Sequence, residues 1–205
     1  MPDYEHDVFI SYKRDPWKVF DEWLNGHFLP LFMIQVGNAI AAHCGRAMTS
    51  VFFDQAVLSD SIRKLEGIEP GEEWRNALQD AIRRSRCVVA LWSPEYFLSE
   101  WCQKEWRSFY ARQAELVIPV AVHDGHKFPA DAVRLQFKNL SPYVIVGDGF
   151  KKTEQFVSFQ NEIQELAEKV GMVVAAAPAF QEWPIVPLAL TQMPAKEEPI
   201  PQGRL

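Results

Sequence analysis

The feature that most constrains the fold is the regular alternation of short apolar runs with longer segments of helical periodicity. The apolar runs are rich in β-branched and aromatic residues and end at polar or charged residues, which is typical of buried parallel strands. The predicted strands are Val8–Tyr12 (VFISY), Ser50–Asp54 (SVFFD), Cys87–Trp92 (CVVALW), Leu116–Val122 (LVIPVAV) and Tyr143–Val146 (YVIV). Strands that alternate with helices predict an α/β fold, with a five-stranded parallel sheet covered by helices on both faces.

Proline and glycine mark the expected interruptions of this pattern. The first helical segment, residues 17–42, contains Gly26 and Pro30, so we expect two helices or a kink there. Ser93–Pro94 follows the third strand and is predicted to cap a helix, with the serine as N-cap and the proline as first helical residue. Pro119 lies within the fourth strand and predicts a bulge or incomplete pairing, because proline has no N–H to donate.

Composition and charge exclude several classes of function. The 205 residues suffice for one domain with a full core and additional segments. The net charge of −6 argues against direct binding of nucleic acid, because that requires basic residues to neutralise phosphates. The charged first thirty residues match no signal peptide, and the most apolar run, FLPLFMIQV, is shorter than the roughly 20 residues of a bilayer span. We therefore expect a cytoplasmic protein without a membrane segment.

The cysteines and histidines predict neither a disulfide framework nor a metal centre. Cys44, Cys87 and Cys102 are widely spaced and are best interpreted as reduced thiols. His123 and His126, in VHDGHKF, are interpreted as loop residues, with a weak metal site as the alternative. The five histidines suggest no Ser-His-Asp arrangement, and GIEPGEEW lacks the Gly-Lys-Ser/Thr ending of a phosphate-binding P-loop.

The composition changes at Ala175. Six of the fourteen prolines lie in the last 31 residues, and the ending PIPQGRL has no core-forming pattern. We therefore divide the chain into a folded domain of residues 1–174 and a proline-rich tail of residues 175–205. The tail is predicted to be a linker or a docked extended arm.

A carboxylate stands on the apolar face of the helix predicted from Ser93 to about Glu115. Trp101 and Phe109 lie four residues before and after Glu105, at spacings that share one helical face. Burial of an unpaired carboxylate is costly, so Glu105 needs a partner or a function. Helical spacing alone favours a structural interpretation, in which an arginine from another element pairs with Glu105 or the face is less buried than the pattern suggests.

Three blocks of sequence resemble those of a known family. They are HDVFISYKR at residues 6–14, IEPGEEW at residues 68–74, and AIRRSRCVVALWSPEYFLSEWCQKEW at residues 81–106. In this order they resemble Toll/interleukin-1 receptor (TIR) domains, and the third block, with its Trp-Cys-x-x-Glu helix, is the most specific. The resemblance covers residues 4–170 and is closer to bacterial members than to animal receptor tails. It implies a flavodoxin-like parallel sheet.

The resemblance also implies an activity and a catalytic residue. In enzymatic TIR domains the glutamate of Trp-Cys-x-x-Glu cleaves NAD⁺, and this position falls on Glu105. The substrate would bind outside the carboxyl ends of the strands. Trp101 is then expected to pack against the nicotinamide end. The remaining candidates for substrate binding are Lys13 and Arg14 for the diphosphate, Tyr12 or Trp74 as walls, Asp54 for a ribose, and Ser93 at a strand end. Surface charge, core packing for Trp74 and loop capping for Asp54 are their structural alternatives.

The same resemblance leads us to expect a self-assembling effector. The segment 55–71 corresponds to the loop that mediates self-association in the family, and the tail is expected to lead to a sensor domain. NAD⁺ would be a substrate, with no cofactor and no metal, in antiviral defence. The alternatives are a non-catalytic TIR adaptor, a phosphoacceptor module suggested by Asp54, and a nucleoside N-glycosyl transferase. The segment 17–49 is longer than the first helix that is usual in the family.

Overall fold

The chain forms one parallel sheet with helices packed against it. The computed structural model describes residues 3–13, 18–53, 72–125 and 128–186, without the side chains of residues 72–75. The strands are β1 His6–Ser11, β2 Val51–Phe53, β3 Ser85–Trp92, β4 Val117–Ala121 and β5 Lys138–Asn139. The helices are α1 Val19–Trp23, α2 Leu29–Cys44, α3 Glu72–Arg83, α4 Pro94–Leu98, α5 Glu100–Arg112, α6 Ala130–Val133 and α7 Glu154–Ala176.

The strands lie in the order β2-β1-β3-β4-β5, and every pair is parallel. Val8 of β1 pairs with Val51 on one side and Cys87 on the other, so β1 lies inside the sheet. This arrangement confirms the predicted flavodoxin-like α/β fold with five parallel strands. All carboxyl ends of the strands therefore meet at one edge, called here the carboxyl edge, and the opposite one is the amino edge.

Helices cover the two faces of the sheet, as predicted. The α2 and α7 helices pack together on one face, where Gly171 lets α7 approach α2, because a Cβ there would lie 3.0 Å from Ala39. The α3 and α5 helices contact each other and the sheet on the other face. Phe9 points to that second face, since its ring lies 6.1 Å from the ring of Phe109 on α5. Alternation along β1 then places Ser11 on the same face as Phe9.

The first helical segment is interrupted by a π-helical turn. Residues Leu24–Phe28 form this turn between α1 and α2, and the N–H of Leu29 donates to the carbonyl of Leu24. Backbone angles remain right-handed helical at Trp23 and Phe28 on either side. A regular helix would crowd the ring of Pro30 against the carbonyl four residues before it. The wider hydrogen-bond ladder of the π-turn accommodates this region, so the interruption changes the hydrogen bonding while the chain remains helical.

The helix expected from Ser93 to about Glu115 is two helices. Ser93 does cap the first of them, because its side chain accepts a hydrogen bond from the N–H of Tyr96, and Pro94 is its first residue. The chain then becomes extended at Ser99, whose side chain caps α5 by accepting from the N–H of Cys102. This second cap explains the break, since serine competes for backbone groups more favourably at a helix start than inside one.

The position predicted for the fifth strand is wrong. The edge strand is Lys138–Asn139, whereas Ser141–Tyr143 forms a 3₁₀ turn and Val144 is not extended. The apolar character of YVIV reflects packing, since Tyr143 lies 5.8 Å from the ring of Phe159 on α7. Pro119 pairs with Ala90 of β3 inside regular β4. On the other side of β4, the short strand β5 pairs with Val120 and Ala121 and does not reach Pro119. No strand residue on that side therefore needs the N–H that proline lacks.

The chain continues past α7 as an extended arm, residues 177–186, that packs on the domain. The Nε1–H of Trp183 donates to the Tyr4 hydroxyl over 3.2 Å, and the ring of Phe180 meets the Tyr4 ring edge-on. The N–H of Val186 donates to Ser108 Oγ over 3.1 Å. Residues 187–205 lie outside the described residues. Within the described residues, no helix is both long and apolar enough to cross a membrane.

Candidate active site

Glu105 reaches the carboxyl edge because α5 runs antiparallel to β1. Phe109 of α5 packs beside Phe9, and Glu105, four residues earlier, meets Ser11, two residues further along β1. Four helical residues span about 6 Å and two strand residues about 6.6 Å, so the distance between the two contacts is nearly the same along α5 and along β1. The buried stripe of α5 also contains Cys102. Glu105 is only 7% exposed, so the carboxylate lies within this apolar stripe, as the sequence predicts.

Hydroxyl groups from two other elements meet the carboxylate. Ser11, the last residue of β1, donates a hydrogen bond from its Oγ to Glu105 Oε2. The hydroxyl of Tyr96 on α4 lies 2.6 Å from Ser11 Oγ and 3.1 Å from the carbonyl oxygen of Cys102. Ser11 and Tyr96 are both almost completely buried. The carboxylate is therefore held by a buried row of polar groups contributed by β1, α4 and α5.

Burial and the charge of Glu105 keep the neighbouring acids neutral. The pKa of the Cys102 thiol is raised to about 12, chiefly by burial and then by the negative charge of Glu105. The pKa of the Tyr96 phenol is raised well above its ordinary value, again chiefly by burial and then by the charges of Cys102 and Glu105. Both groups thus act as neutral hydrogen-bond donors at physiological pH. The Cys102 thiol is 3.5 Å from the carbonyl oxygen of Tyr12, to which it donates.

Aromatic and basic residues surround the end of β1. Tyr12, one of the predicted walls, is half-buried and stacks on Phe53 at 5.0 Å. Lys13 is exposed, and its charge lowers the pKa of Cys102, as a minor effect beside the raising by burial and by Glu105. Trp101 is half-buried at the flank of the buried stripe, and the Lys104 ammonium lies 4.7 Å from its ring centre. These residues therefore lie around the same part of the carboxyl edge as Glu105.

The other predicted site residues are placed differently or are not described. Ser93 lies at the carboxyl end of β3, where its side chain caps α4. Trp74 belongs to α3, but its side chain is outside the description. Arg14, Asp54 and the segment 55–71 lie outside the described residues.

The histidine interpreted as a loop residue has a local partner. His123 Nδ1 lies 2.8 Å from Asp124 Oδ1, and both side chains are about half exposed. His126 lies outside the described residues. No group of three or more His, Cys, Asp or Glu side chains that could hold a metal ion occurs in the described part of the chain.

Ser11 and Tyr96 are the site residues that sequence reasoning missed. Ser11 could have been found from alternation, because it lies two residues after Phe9 and shares its face. Tyr96 could not, because it precedes Glu105 by nine residues. On one continuous helix that spacing is about 180° of rotation, so the two side chains would point in opposite directions. The break at Ser99 allows them to meet.

The comparisons with known proteins identify the family. The family model described as TIR domain matches residues 36–152, so the chain belongs to the TIR domain family. The matched range contains Tyr96 and Glu105, whereas Ser11 precedes it. No curated protein matches the chain.

Two solved structures are similar to the chain at low identity. The TIR domain of the Toll-related receptor TRR-2 from the lower metazoan Hydra magnipapillata is 17% identical, with a TM-score of 0.42. That alignment covers 78% of this chain and 98% of the other. The TIR domains of the activated Roq1 resistosome, which directly recognises the pathogen effector XopQ, are 20% identical, with a TM-score of 0.33. That alignment covers 83% of this chain and 84% of the other.

Proposed function

We propose that the chain cleaves the N-glycosidic bond between nicotinamide and ribose in NAD⁺, with Glu105 as the catalytic residue. One observation carries the proposal: a carboxylate that is 7% exposed is held by Ser11 at the carboxyl edge of a parallel sheet. Ligands of open α/β sheets bind outside that edge. NAD⁺ is the substrate in this proposal, and no cofactor is needed.

The chemistry requires only one carboxylate. When the bond breaks, its electron pair moves to the ring nitrogen, so nicotinamide leaves as a neutral molecule. A general acid is therefore unnecessary, unlike in most glycosidases. The ribose becomes an oxocarbenium-like cation that a preorganised carboxylate stabilises electrostatically. Addition of water with loss of a proton gives ADP-ribose, and attack by an atom of the same molecule gives a cyclic isomer.

The substrate-binding roles follow the residues around the end of β1. Trp101 packs against nicotinamide, Lys13 and Arg14 bind the diphosphate, and Tyr12 forms a wall of the site. Trp74 as a second wall, Asp54 on a ribose and Ser93 at the end of β3 complete the proposed contacts. The half-buried positions of Tyr12 and Trp101 and the exposure of Lys13 support these assignments.

We further propose that activity depends on assembly. The chain would act in the cytoplasm as a bacterial antiviral effector, and contacts through the segment 55–71 would join copies of the domain. A sensor domain joined through the tail, or a separate one, would then bring the copies together.

The test is nicotinamide release from NAD⁺ by clustered protein. Glu105→Gln is expected to reduce release at least about 100-fold, because it removes the charge that stabilises the transition state. Glu100→Gln is the matched control, since Glu100 is an exposed carboxylate on the same helix and should leave release unchanged.

Two results contradict the proposal: no release by a wild type shown to be clustered, or equal release by wild type and Glu105→Gln. Clustering without any release would instead support the adaptor function.

A further inference from the structure

A row of four oxygen atoms connects the carboxylate of Glu105 to the backbone of its own helix. Ser11 Oγ lies between Glu105 Oε2 and the hydroxyl of Tyr96, which in turn approaches the carbonyl oxygen of Cys102. The row thus contains three hydrogen-bonding contacts. Its residues are 7% exposed or less, so water does not compete freely for them.

The number of protons in this row depends on the charge of Glu105. An ionised carboxylate only accepts, so Ser11 donates to Glu105. The Tyr96 hydroxyl is placed to donate either to the carbonyl of Cys102, at 3.1 Å, or to Ser11 Oγ, at 2.6 Å. The closer contact takes the proton, because two oxygens at that distance repel each other without one between them. Two hydroxyl protons then serve two of the three contacts. The third, at the carbonyl of Cys102, goes without a proton from the row, although this carbonyl still accepts the N–H four residues later in the helix.

Protonation of Glu105 adds a third proton and allows the whole row to reverse. Glu105 then donates to Ser11, Ser11 donates to Tyr96, and Tyr96 donates to the carbonyl of Cys102. Both arrangements use the same atomic positions and differ only in where the hydrogens lie. The row is consequently a two-state relay whose direction reports the charge of the carboxylate.

We propose that Ser11 and Tyr96 are positioning residues that hold Glu105 ionised and fixed in orientation by donating along this relay. The catalytic part of the inference rests on the proposed function, because it requires the carboxylate to face a cation on the ribose. Ser11 acts directly on Glu105, whereas Tyr96 acts only through Ser11. Neither residue needs to touch the substrate.

The other groups around Glu105 are compatible with such a relay. Tyr96 and Cys102 remain protonated near neutral pH, because burial and the charge of Glu105 raise both of their pKa values. Lys13, at the end of β1, is the described cation whose charge acts on Cys102. The strands β3 and β4 bring only apolar side chains to this level, where Ala90 pairs with both Ser11 and Pro119.

The experiment measures nicotinamide release as a function of pH in clustered wild type, Ser11→Ala, Tyr96→Phe and the double variant. Ser11→Ala removes a charge-assisted hydrogen bond and should move the acid limb of the profile up by about one pH unit. Tyr96→Phe should give a smaller shift in the same direction. The double variant should match Ser11→Ala, because Tyr96 has nothing to act through once Ser11 is gone.

Two further variants separate this role from simple packing. Ser85→Ala deletes another buried strand hydroxyl, which donates to the carbonyl of Ala81 at the amino edge, and it should keep the wild-type profile. Ser11→Thr keeps the hydroxyl and should restore most of the wild-type acid limb. Unchanged profiles in both Ser11→Ala and Tyr96→Phe, or additive shifts in the double variant, would overturn the relay.

A second readout does not depend on catalysis. The carboxyl carbon of Glu105, identified in ¹³C spectra by its absence in Glu105→Gln, should titrate at higher pH in Ser11→Ala than in wild type. If this shift occurs in a protein that releases no nicotinamide, the relay stands and the proposed function fails. If nicotinamide is released but the carbon titrates identically in both proteins, the relay fails and the proposed function stands.

Discussion

The two edges of the sheet each bury a carboxylate, and the described contacts of the two carboxylates differ in chemistry. At the amino edge Asp7, which is 2% exposed, forms an ion pair with Arg46 and lies 3.5 Å from the Nε of Arg86. At the carboxyl edge Glu105 accepts from the hydroxyl of Ser11. A guanidinium is a permanent cation with fixed donors, whereas a hydroxyl both donates and accepts and can turn its proton. We therefore expect loss of the carboxylate to cost more stability at the amino edge than at the carboxyl edge, where the catalytic function is proposed.

Further contacts strengthen the amino edge. The guanidinium of Arg112 donates to the carbonyls of Ile82 and Ser85, at distances of 2.7 and 3.2 Å. It also lies 4.4 Å from the ring centre of Phe109 and 5.5 Å from that of Trp183 in the arm. Burial lowers the pKa of Arg112 to about 10, so it remains charged at neutral pH. Arg112 therefore connects α3, β3, α5 and the arm at this edge.

The largest effect on stability is expected from Asp7→Asn. The change removes the buried anion that Arg46 and Arg86 share, although Arg86 keeps Asp3 at 4.0 Å. The loss of these charge-assisted contacts should lower the free energy of unfolding by about 3 kcal/mol, measured by urea denaturation. Glu105→Gln, the matched change at the other edge, should cost less than about 1 kcal/mol, because Ser11 can still hydrogen-bond a neutral amide. Equal losses for the two variants would remove the distinction between the edges.

A smaller loss is expected when the arm is released from the amino edge. Trp183→Ala removes the hydrogen bond to Tyr4 and the contact with Arg112. The half-buried ring should contribute about 2 kcal/mol, less than a fully buried tryptophan. Thermal unfolding of the variant beside Met172→Ala, which truncates an exposed side chain on α7, checks this expectation. Identical unfolding midpoints in the two variants would show that the arm adds no stability.

The smallest expected effect is on how stability depends on pH, within the range in which activity at the carboxyl edge would be measured. Burial chiefly, and then the charge of Lys151, lowers the pKa of His27 below its ordinary value of 6.5. The unfolded chain therefore binds a proton at His27 more readily, and the stability of the fold decreases as the pH falls below about 6.5. His27→Phe should reduce this decrease, because phenylalanine binds no proton. Its ring can still pack against Phe150 and Phe156, so the change should leave the core filled.

Urea denaturation at pH 7 and pH 5 measures the effect of His27→Phe. Part of the acid loss should persist in the variant, since the pKa of His6 is also lowered, chiefly by burial. Equal differences between the two pH values in wild type and variant would contradict the assignment. Any acid limb of activity can then be separated from acid unfolding.

Much of the fold was predictable because the strands in the sheet interior are buried on both faces. Their side chains are apolar in nearly every position, so β1, β3 and β4 were all recognised from short apolar runs. The predicted position of the fifth strand was wrong for the opposite reason. Lys138–Asn139 is a two-residue edge strand with no apolar pattern, whereas YVIV is apolar because it packs against α7. Periodicity reports burial, and burial does not by itself distinguish a strand from a packed loop.

The site was predictable only in part, since its residues come from distant parts of the chain. Spacing on α5 placed Glu105 among apolar neighbours, and the resemblance to TIR domains made it the catalytic candidate. Nothing in the spacing indicated Tyr96, because the break at Ser99 changes its direction relative to Glu105. The roles assigned to Lys13 and Trp101 stay predictions, although both residues lie near the end of β1 and the start of α5.

By itself, the sequence determined the class of fold, the family and the presence of a carboxylate on a buried helical face. These depend on local patterns that can be recognised along the chain itself, namely apolar runs, helical spacing and a motif within 26 residues. Only the tertiary structure decided which groups meet that carboxylate, which arginines pair with Asp7, and that residues 177–186 dock on the domain. Hydrogen bonds and ion pairs depend on directions and distances of a few ångströms, and only the folded chain brings those groups into contact.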